Sequence, residues 1–227
     1  MITLGIDTST ARGSVAVLRD DQPLAEEFFC RGDGKEAPAQ HLFGAIEKLL
    51  SSQKLAPRDI GLITVGIGPG SFTGIRVGIA AAKGLAMPWA LPIKAVNSFD
   101  ALAVAALAQM PRDCRQICVF CDARRDEIYS ALYDKSGRRV RDCKISALKE
   151  IADEIHYPMW FISSEIERFN DALKETFGGF ASICKAPLYP SAAALGWLGI
   201  RKSQEEGNRG DAQLEPIYLR VPDYKKL

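Results

Sequence analysis

The stretch GIGPGSFTGIRVG, residues 66–78, carries glycine at 66, 68, 70, 74 and 78 and proline at 69. It follows the apolar run IGLITV and precedes IAAAKGLA, so it joins a strand to a helix. Glycine loops in that position cradle phosphate, because bare backbone amides and the helix N-terminus attract an anion. This one lacks the Lys-Ser/Thr pair of the G-x-x-x-x-G-K-[ST] loop, and its spacing is not G-x-G-x-x-G. Ser71 is no nucleophile elbow either, since Pro69 and Thr73 stand where G-x-S-x-G needs glycine. What remains is structural. Pro69-Gly70 makes a tight turn, and Ser71 or Thr73 caps the helix. Gly74, Gly78, Ala80, Ala81, Ala82 and Gly84 keep that helix thin enough for another to approach closely.

The metal-ligating residue types are few. Cys114, Cys118 and Cys121 have the C-x3-C-x2-C spacing of a three-thiolate iron–sulfur site. Such a site needs a loop that turns all three sulfurs to one point, whereas residues 117–122 read as strand. Positions 118 and 121 of a strand lie about 10 Å apart and point to opposite faces, so these cysteines are expected to fill the core. His41 and His156 are the only histidines, and no H-x-x-x-H or H-E-x-x-H pair can form. His41 falls on an apolar helix, packed or interfacial rather than catalytic. Neither a metal site nor a Ser–His–Asp arrangement is expected.

The chain has 227 residues, 47% of them hydrophobic and 25% charged, and a formal net charge of +1. That describes a soluble globular protein with no global field drawing it to nucleic acid or membrane. The basic stretches RGDGK, GRRVR and YKKL read as solvated surface. No window approaches the ~18 apolar residues of a membrane helix, and MITLGIDTST lacks the features of a signal peptide. Six cysteines are too sparse for a disulfide scaffold. A cytoplasmic location is expected.

Elements follow from periodicity. Residues 2–7, 13–20 and QPLAEEFF read as strands, 37–50 as a helix with Pro38 in its first turn, and IGLITVGI as a buried strand. A helix covers 73–87, stopped by Pro88; PIKAVN is a strand, and SFDALAVAALAQM a helix capped by its serine. The second half repeats the first: QICVFCDARRDEIYSALYD laid on ITLGIDTSTARGSVAVLRD puts Asp122 on Asp7. There follow a strand (MWFIS), a helix at 165–177, a strand (FASIC) and a helix at 191–206.

An aspartate at a strand end, hydroxyl residues in the turn and a return strand resemble the first phosphate loop of the actin-like ATPase and sugar-kinase fold. Kinases of that fold carry a glycine in this turn. Here it reads Thr8-Ser9-Thr10 after Asp7, and its counterpart after Asp122 reads Ala123-Arg124-Arg125. Both phosphate sites look degraded.

GPGSFTGIRVG, ITLGIDTST, CDARRDEIYSALYD and PIYLRVPDYKKL together resemble the TsaB (YeaZ) family of bacterial tRNA threonylcarbamoyladenosine biosynthesis subunits. These are non-catalytic relatives of TsaD in the actin-like ATPase superfamily. The resemblance implies an α/β, ribonuclease H-like fold of two lobes, each a mixed sheet flanked by helices. It places one lobe at 1–100, to which the tail 207–227 returns, and the other at 101–206. It implies a cytoplasmic scaffold without cofactor, metal or active site of its own. Its partners would be a TsaD-like catalytic subunit and a TsaE-like ATPase, with a homodimer in isolation and tRNA reached only through the complex. TsaD carries V-N-H-x-x-x-H, whose histidines hold its metal; here the stretch is VNSFDAL, with Ser98 and Leu102 at those places. The family's partner surface is the helix pair 37–50 and 73–87, which the resemblance maps to His41, Leu42, Ala45, Ile46 and Leu49. On the second helix and its loop it maps to Gly70, Ser71, Phe72, Thr73, Gly74, Arg76, Val77, Gly78 and Ala81. The alternative is a small-metabolite phosphotransferase of the actin-like fold; a peptidase is suggested only by kinship to TsaD.

Overall fold

Two five-stranded sheets carry the chain, and both are wound the same way. The structure is a computed structural model that describes residues 1–30, 38–155, 157–207, 209–211 and 214–219. His156, the stretch RGDGK, the helix start at Ala37 and the tail from 220 onward lie outside the described residues.

The first sheet holds β1 (Ile2–Asp7), β2 (Arg12–Arg19), β3 (Gln22–Cys30), β4 (Ile60–Gly66) and β5 (Ile93–Val96), in the order β3-β2-β1-β4-β5. β1 pairs antiparallel with β2 and parallel with β4. The second holds β6 (Gln116–Arg124), β7 (Glu127–Asp134), β8 (Arg139–Ser146), β9 (Met159–Ile162) and β10 (Ala181–Ile183), in the order β10-β9-β6-β7-β8. β6 has the same antiparallel and parallel neighbours as β1. The duplication read from Asp7 and Asp122 is thus a duplication of sheet topology.

Among the described residues six α-helices cover the sheets: α1 (Pro38–Ser52), α2 (Phe72–Ala86), α3 (Ser98–Ala106), α4 (Leu148–Ala152), α5 (Ile166–Phe177) and α6 (Ala192–Glu206). Leu42, Ala45, Ile46 and Leu49 of α1 and Ile75, Ile79, Ala81 and Ala82 of α2 share one core with Leu4, Ile6, Val15, Val17, Ile63 and Val65. Successive strand residues face opposite ways, so Ala16, Leu18 and Leu62 need a cover on the other side. Ala192 and Ile200 of α6 supply it. The last helix, which chain order puts with the second lobe, therefore packs on the first sheet. α3 lies between the two: Phe99, Leu102, Ala103 and Ala106 enter the second core, while Ala101 packs with Val96 and Leu195. Among the described residues, no helix is long and apolar enough to cross a membrane.

β8 and α4 have no counterpart in the sequence reading. RVRDCKIS is charged at four of its eight positions and mostly half-buried or exposed, so it lacks an apolar strand signature. Its arginines are engaged inside the molecule rather than forming a basic patch. Arg139 forks onto Asp100 of α3 at 2.6 and 3.0 Å, and Asp100 also accepts from the Tyr133 hydroxyl at 2.7 Å. Arg141 donates to Ser130 and Glu154, each at 2.8 Å.

Cys118 and Cys121 lie on β6 and are buried, as strand placement requires. Burial pushes the Cys118 thiol up to about 12 and that of Cys121 well above the ordinary range. Cys30 is exposed at the end of β3. Because only a thiolate attacks, a disulfide reagent added to the native protein should consume Cys30 quickly and the β6 thiols only on unfolding. Fast reaction at Cys118 in the folded chain would contradict the packing described.

Candidate functional site

The two turns that would hold phosphate in an actin-like ATPase face each other across a cleft of about 500 Å³. The first turn is filled by the chain itself. Asp7 is 1% exposed at the end of β1. Its carboxylate accepts from the Ser9 amide at 2.8 Å, the Ser9 hydroxyl at 2.7 Å and the Ser98 hydroxyl at 2.6 Å. Ser98 in turn accepts from the Gly68 amide at 3.2 Å. It is the first residue of α3 and not its cap: Asn97 caps the helix, accepting from the Phe99 amide at 2.8 Å.

The glycine loop is the socket for this turn. A Cβ at Gly66 would collide with the Asp7 carboxylate and reach 2.8 Å from the Ser98 hydroxyl. One at Gly70 would strike the Ser9 carbonyl, which accepts from the Ser71 amide at 2.6 Å. One at Gly78 would strike the Thr8 hydroxyl, which donates to the Gly74 carbonyl at 2.7 Å. Ser71 caps α2, accepting from the Gly74 amide at 3.3 Å. The loop is built for close packing, but its guest is the chain's own first turn rather than a second helix. Thr10 stands at the rim, its hydroxyl donating to the Arg12 carbonyl at 2.7 Å.

The second turn is held by charge. Asp122 accepts from the Arg124 amide at 2.8 Å and pairs with the Arg168 and Arg124 guanidiniums, while its own amide donates to Glu165 at 3.0 Å. Burial pushes its carboxyl upward, but the Arg124 amide and Arg168 outweigh that and hold it below the ordinary aspartate value. Arg124, Arg125 and Asp126 run through the left-handed region with φ of 66°, 58° and 59°. Bulky side chains therefore occupy the turn where backbone amides would meet phosphate. Phe99, Leu102 and Phe120 give the cleft an apolar floor.

A metal does not fit here. The Ser98 hydroxyl is already engaged with Asp7 and Gly68, and Leu102 is a buried apolar side chain, 3% exposed. Neither offers what a divalent cation needs.

The helix residues mapped to a partner surface divide into two sets. Leu42, Ala45, Ile46, Leu49, Gly74, Gly78 and Ala81 are buried within this chain, and His41, Gly70, Ser71 and Val77 are half-buried. Phe72, Thr73 and Arg76 are exposed. The outward face is completed by Ala80 and Gly84, two of the small residues that keep α2 thin, and by residues that neither motif nor resemblance marks as partner surface: Phe43, Gly44 and Glu47 on α1, Lys83 on α2, and Met87, Trp89 and Tyr218. Met87 is 79% exposed. Phe43 and Met87 are apolar residues that break the periodicity of the buried face, and that signal was available. A Cβ at Gly44 or Gly84 would meet nothing.

Comparison with known proteins is consistent along the whole chain. The sequence model of the family described as TsaD, tRNA N6-adenosine threonylcarbamoyltransferase, matches residues 35–195. The tRNA threonylcarbamoyladenosine biosynthesis protein TsaB of Bacillus subtilis is 30% identical over 100% of this chain and 95% of its own length. The structure of YeaZ from Pseudomonas aeruginosa superposes with a TM-score of 0.78 at 25% identity, covering 96% of this chain and 99% of that one. The activator of 2-hydroxyisocaproyl-CoA dehydratase from Clostridium difficile, solved with bound ADPNP, shares the fold at a TM-score of 0.52 and 12% identity, over 93% and 100% of the two chains.

Substitutions at the socket should act on stability. Gly66→Ala forces a methyl into the Asp7–Ser98 bond and should cost about 2–4 kcal/mol or prevent folding. Ser98→Ala removes one bond to a buried carboxylate and should cost about 1–3 kcal/mol. Gly78→Leu should likewise unfold the chain, because its side chain would meet Thr8. Denaturant titration of the three variants checks this; wild-type stability of Gly66→Ala would refute the socket.

Proposed function

The chain belongs to the TsaB family of tRNA threonylcarbamoyladenosine biosynthesis proteins, and we propose that it serves that pathway as a scaffold rather than as a catalyst. In this reading it docks on a TsaD-like catalytic subunit through the outward face of α1 and α2, and a TsaE-like ATPase joins the pair. On its own it forms a homodimer through the same face. Transfer of the threonylcarbamoyl group to adenosine belongs to the partner, and tRNA is met through the complex.

The observation that carries the reading is the pair of outward glycines. A glycine inside a helix costs about 1 kcal/mol relative to alanine, and among the described residues Gly44 and Gly84 return no packing to their own chain, since nothing outside the helix's own backbone lies within contact of where a Cβ would be. They stand on exposed helix faces with Ala80, beside exposed Phe43 and Met87. Small residues between apolar ones let two helix pairs close to the short end of the 8–10 Å packing range. The Asp7–Ser98 bond supports the non-catalytic part. It ties up the carboxylate that would otherwise serve a phosphate or metal.

The experiment is reconstitution with a TsaD-like subunit, a TsaE-like ATPase, threonylcarbamoyl-adenylate and tRNA, followed by nucleoside analysis. Modified adenosine should form only when this chain is present, and never with this chain alone. Gly84→Trp should keep the thermal midpoint, since the site is empty, yet reduce modification at least tenfold, on the order of an interface hot spot. Modification by the chain alone, or full activity with Gly84→Trp, would overturn the reading.

A further inference from the structure

The described C-terminal residues, 209–211 and 214–219, turn back across the first sheet and are anchored there by buried charge. The Asp211 amide donates to the Ile93 carbonyl at 2.9 Å. Its carboxylate accepts from the Ala95 amide and from Lys202 Nζ, each at 2.8 Å, and Lys94 Nζ lies 3.4 Å from its other oxygen. Lys94 is 2% exposed on β5 and also binds Glu206 at 3.0 Å. Removing one member of such a network strands a buried charge. Beyond the anchor, Leu214 packs on the first core, and the Ile217 amide donates to the carbonyl of Ile67, at the mouth of the glycine loop, at 2.9 Å.

Tyr218 then reaches the N-terminal end of α2. Its ring centroid is 5.5 Å from that of Phe72, and its hydroxyl accepts from Arg76 Nε at 3.1 Å. The Arg76 guanidinium lies 3.7 Å over the Phe72 ring. Phe72 and Tyr218 stay about half exposed, at 50% and 49%. Among the described residues Arg76 has no carboxylate partner, nor has Lys83 farther along the same outward face.

We infer that this C-terminal strap is part of the docking surface, with Asp211 as the positioning residue that holds Tyr218, Phe72 and Arg76 together as one preassembled patch. The patch fits a partner element that brings a carboxylate to Arg76 and an apolar side chain to the two rings. The inference rests on the proposed docking through α1 and α2, which the patch extends at its Phe72 end. Two features argue for it. Tyrosine and arginine are the side chains that dominate interface energies, and a patch already ordered loses little entropy on binding. Arg76 and Lys83 pair with no carboxylate among the described residues, and that unpaired positive charge calls for an acidic complement.

The test measures affinity of the full chain for its TsaD-like subunit by calorimetry at low and high salt. It is combined with hydrogen exchange at the Ile217 amide. Tyr218→Ala should weaken binding about tenfold without moving the thermal midpoint, because the ring is at the surface. Asp211→Asn should speed exchange at Ile217 and weaken binding by a similar factor. Arg76→Met should weaken binding and flatten its salt dependence. If Gly84→Trp abolishes binding while Tyr218→Ala binds as wild type, the strap is a bystander and the docking reading survives. If Gly84→Trp also binds as wild type, that reading fails and the strap inference with it. An unchanged salt dependence in Arg76→Met would remove the acidic complement.

Discussion

A carboxylate taken out of water costs several kcal/mol unless hydrogen bonds replace its hydration, and the arrangement around Asp7 follows from meeting that demand within one chain. Ser9 supplies two bonds from the turn and Ser98 a third from α3. Ser98 can reach Asp7 only because Gly66 of β4 has no side chain between them. Three elements far apart in sequence are thereby fixed at one point. The turn they hold then drops Thr8 and Ser9 into the glycine loop, whose Gly70 and Gly78 leave room for them.

The second lobe solves the same problem with opposite means. Asp122 occupies on β6 the place of Asp7 on β1, but its turn is set by Arg124 and Arg168. One lobe closes its phosphate turn with neutral hydroxyls and glycine contacts, the other with guanidiniums. Either way the groups that would receive a phosphate are satisfied beforehand, and the cleft between them has an apolar floor. The fold is shared with a protein solved with bound ADPNP, while both aspartates at the cleft are bonded within this chain.

Much of this was legible in the sequence, for identifiable reasons. β1, β2 and β4 declared themselves because they are buried on both faces and carry β-branched residues through their length. Asp7 and Asp122 could be aligned because a strand–Asp–turn–strand pattern survives at both places. The failure of the glycine loop as a phosphate site was readable from the missing lysine. Its true guest was not, because the contact joins residues 66 positions apart in sequence, and no local pattern encodes such a pairing. Helix periodicity marks an apolar face on α1 and α2, with Phe43 outside it, but does not say whether that face packs on the chain's own sheet or on a partner. The family resemblance groups Leu42 and Gly78 with Phe72 and Arg76, and in the structure the first pair is buried and the second exposed. β8 escaped because a charged stretch that serves Asp100 and Glu154 looks like solvated surface until its partners are seen.

α2 is where these constraints converge. Its inner glycines, Gly74 and Gly78, receive the first turn, while Ala80 and Gly84 stand outward. One helix thus carries small residues on two faces, and contacts within the chain account for the inner ones. Its N-terminal end is bound to Ser9 through Ser71 and to the C-terminal strap through Phe72 and Arg76. A body pressing on the outer face would meet a helix that cannot shift inward without displacing Thr8 and, behind it, the buried Asp7. A close-packed interior transmits such a load instead of absorbing it. The glycine loop therefore does more than turn the chain: it backs the outward surface with the buried, hydrogen-bonded turn around Asp7.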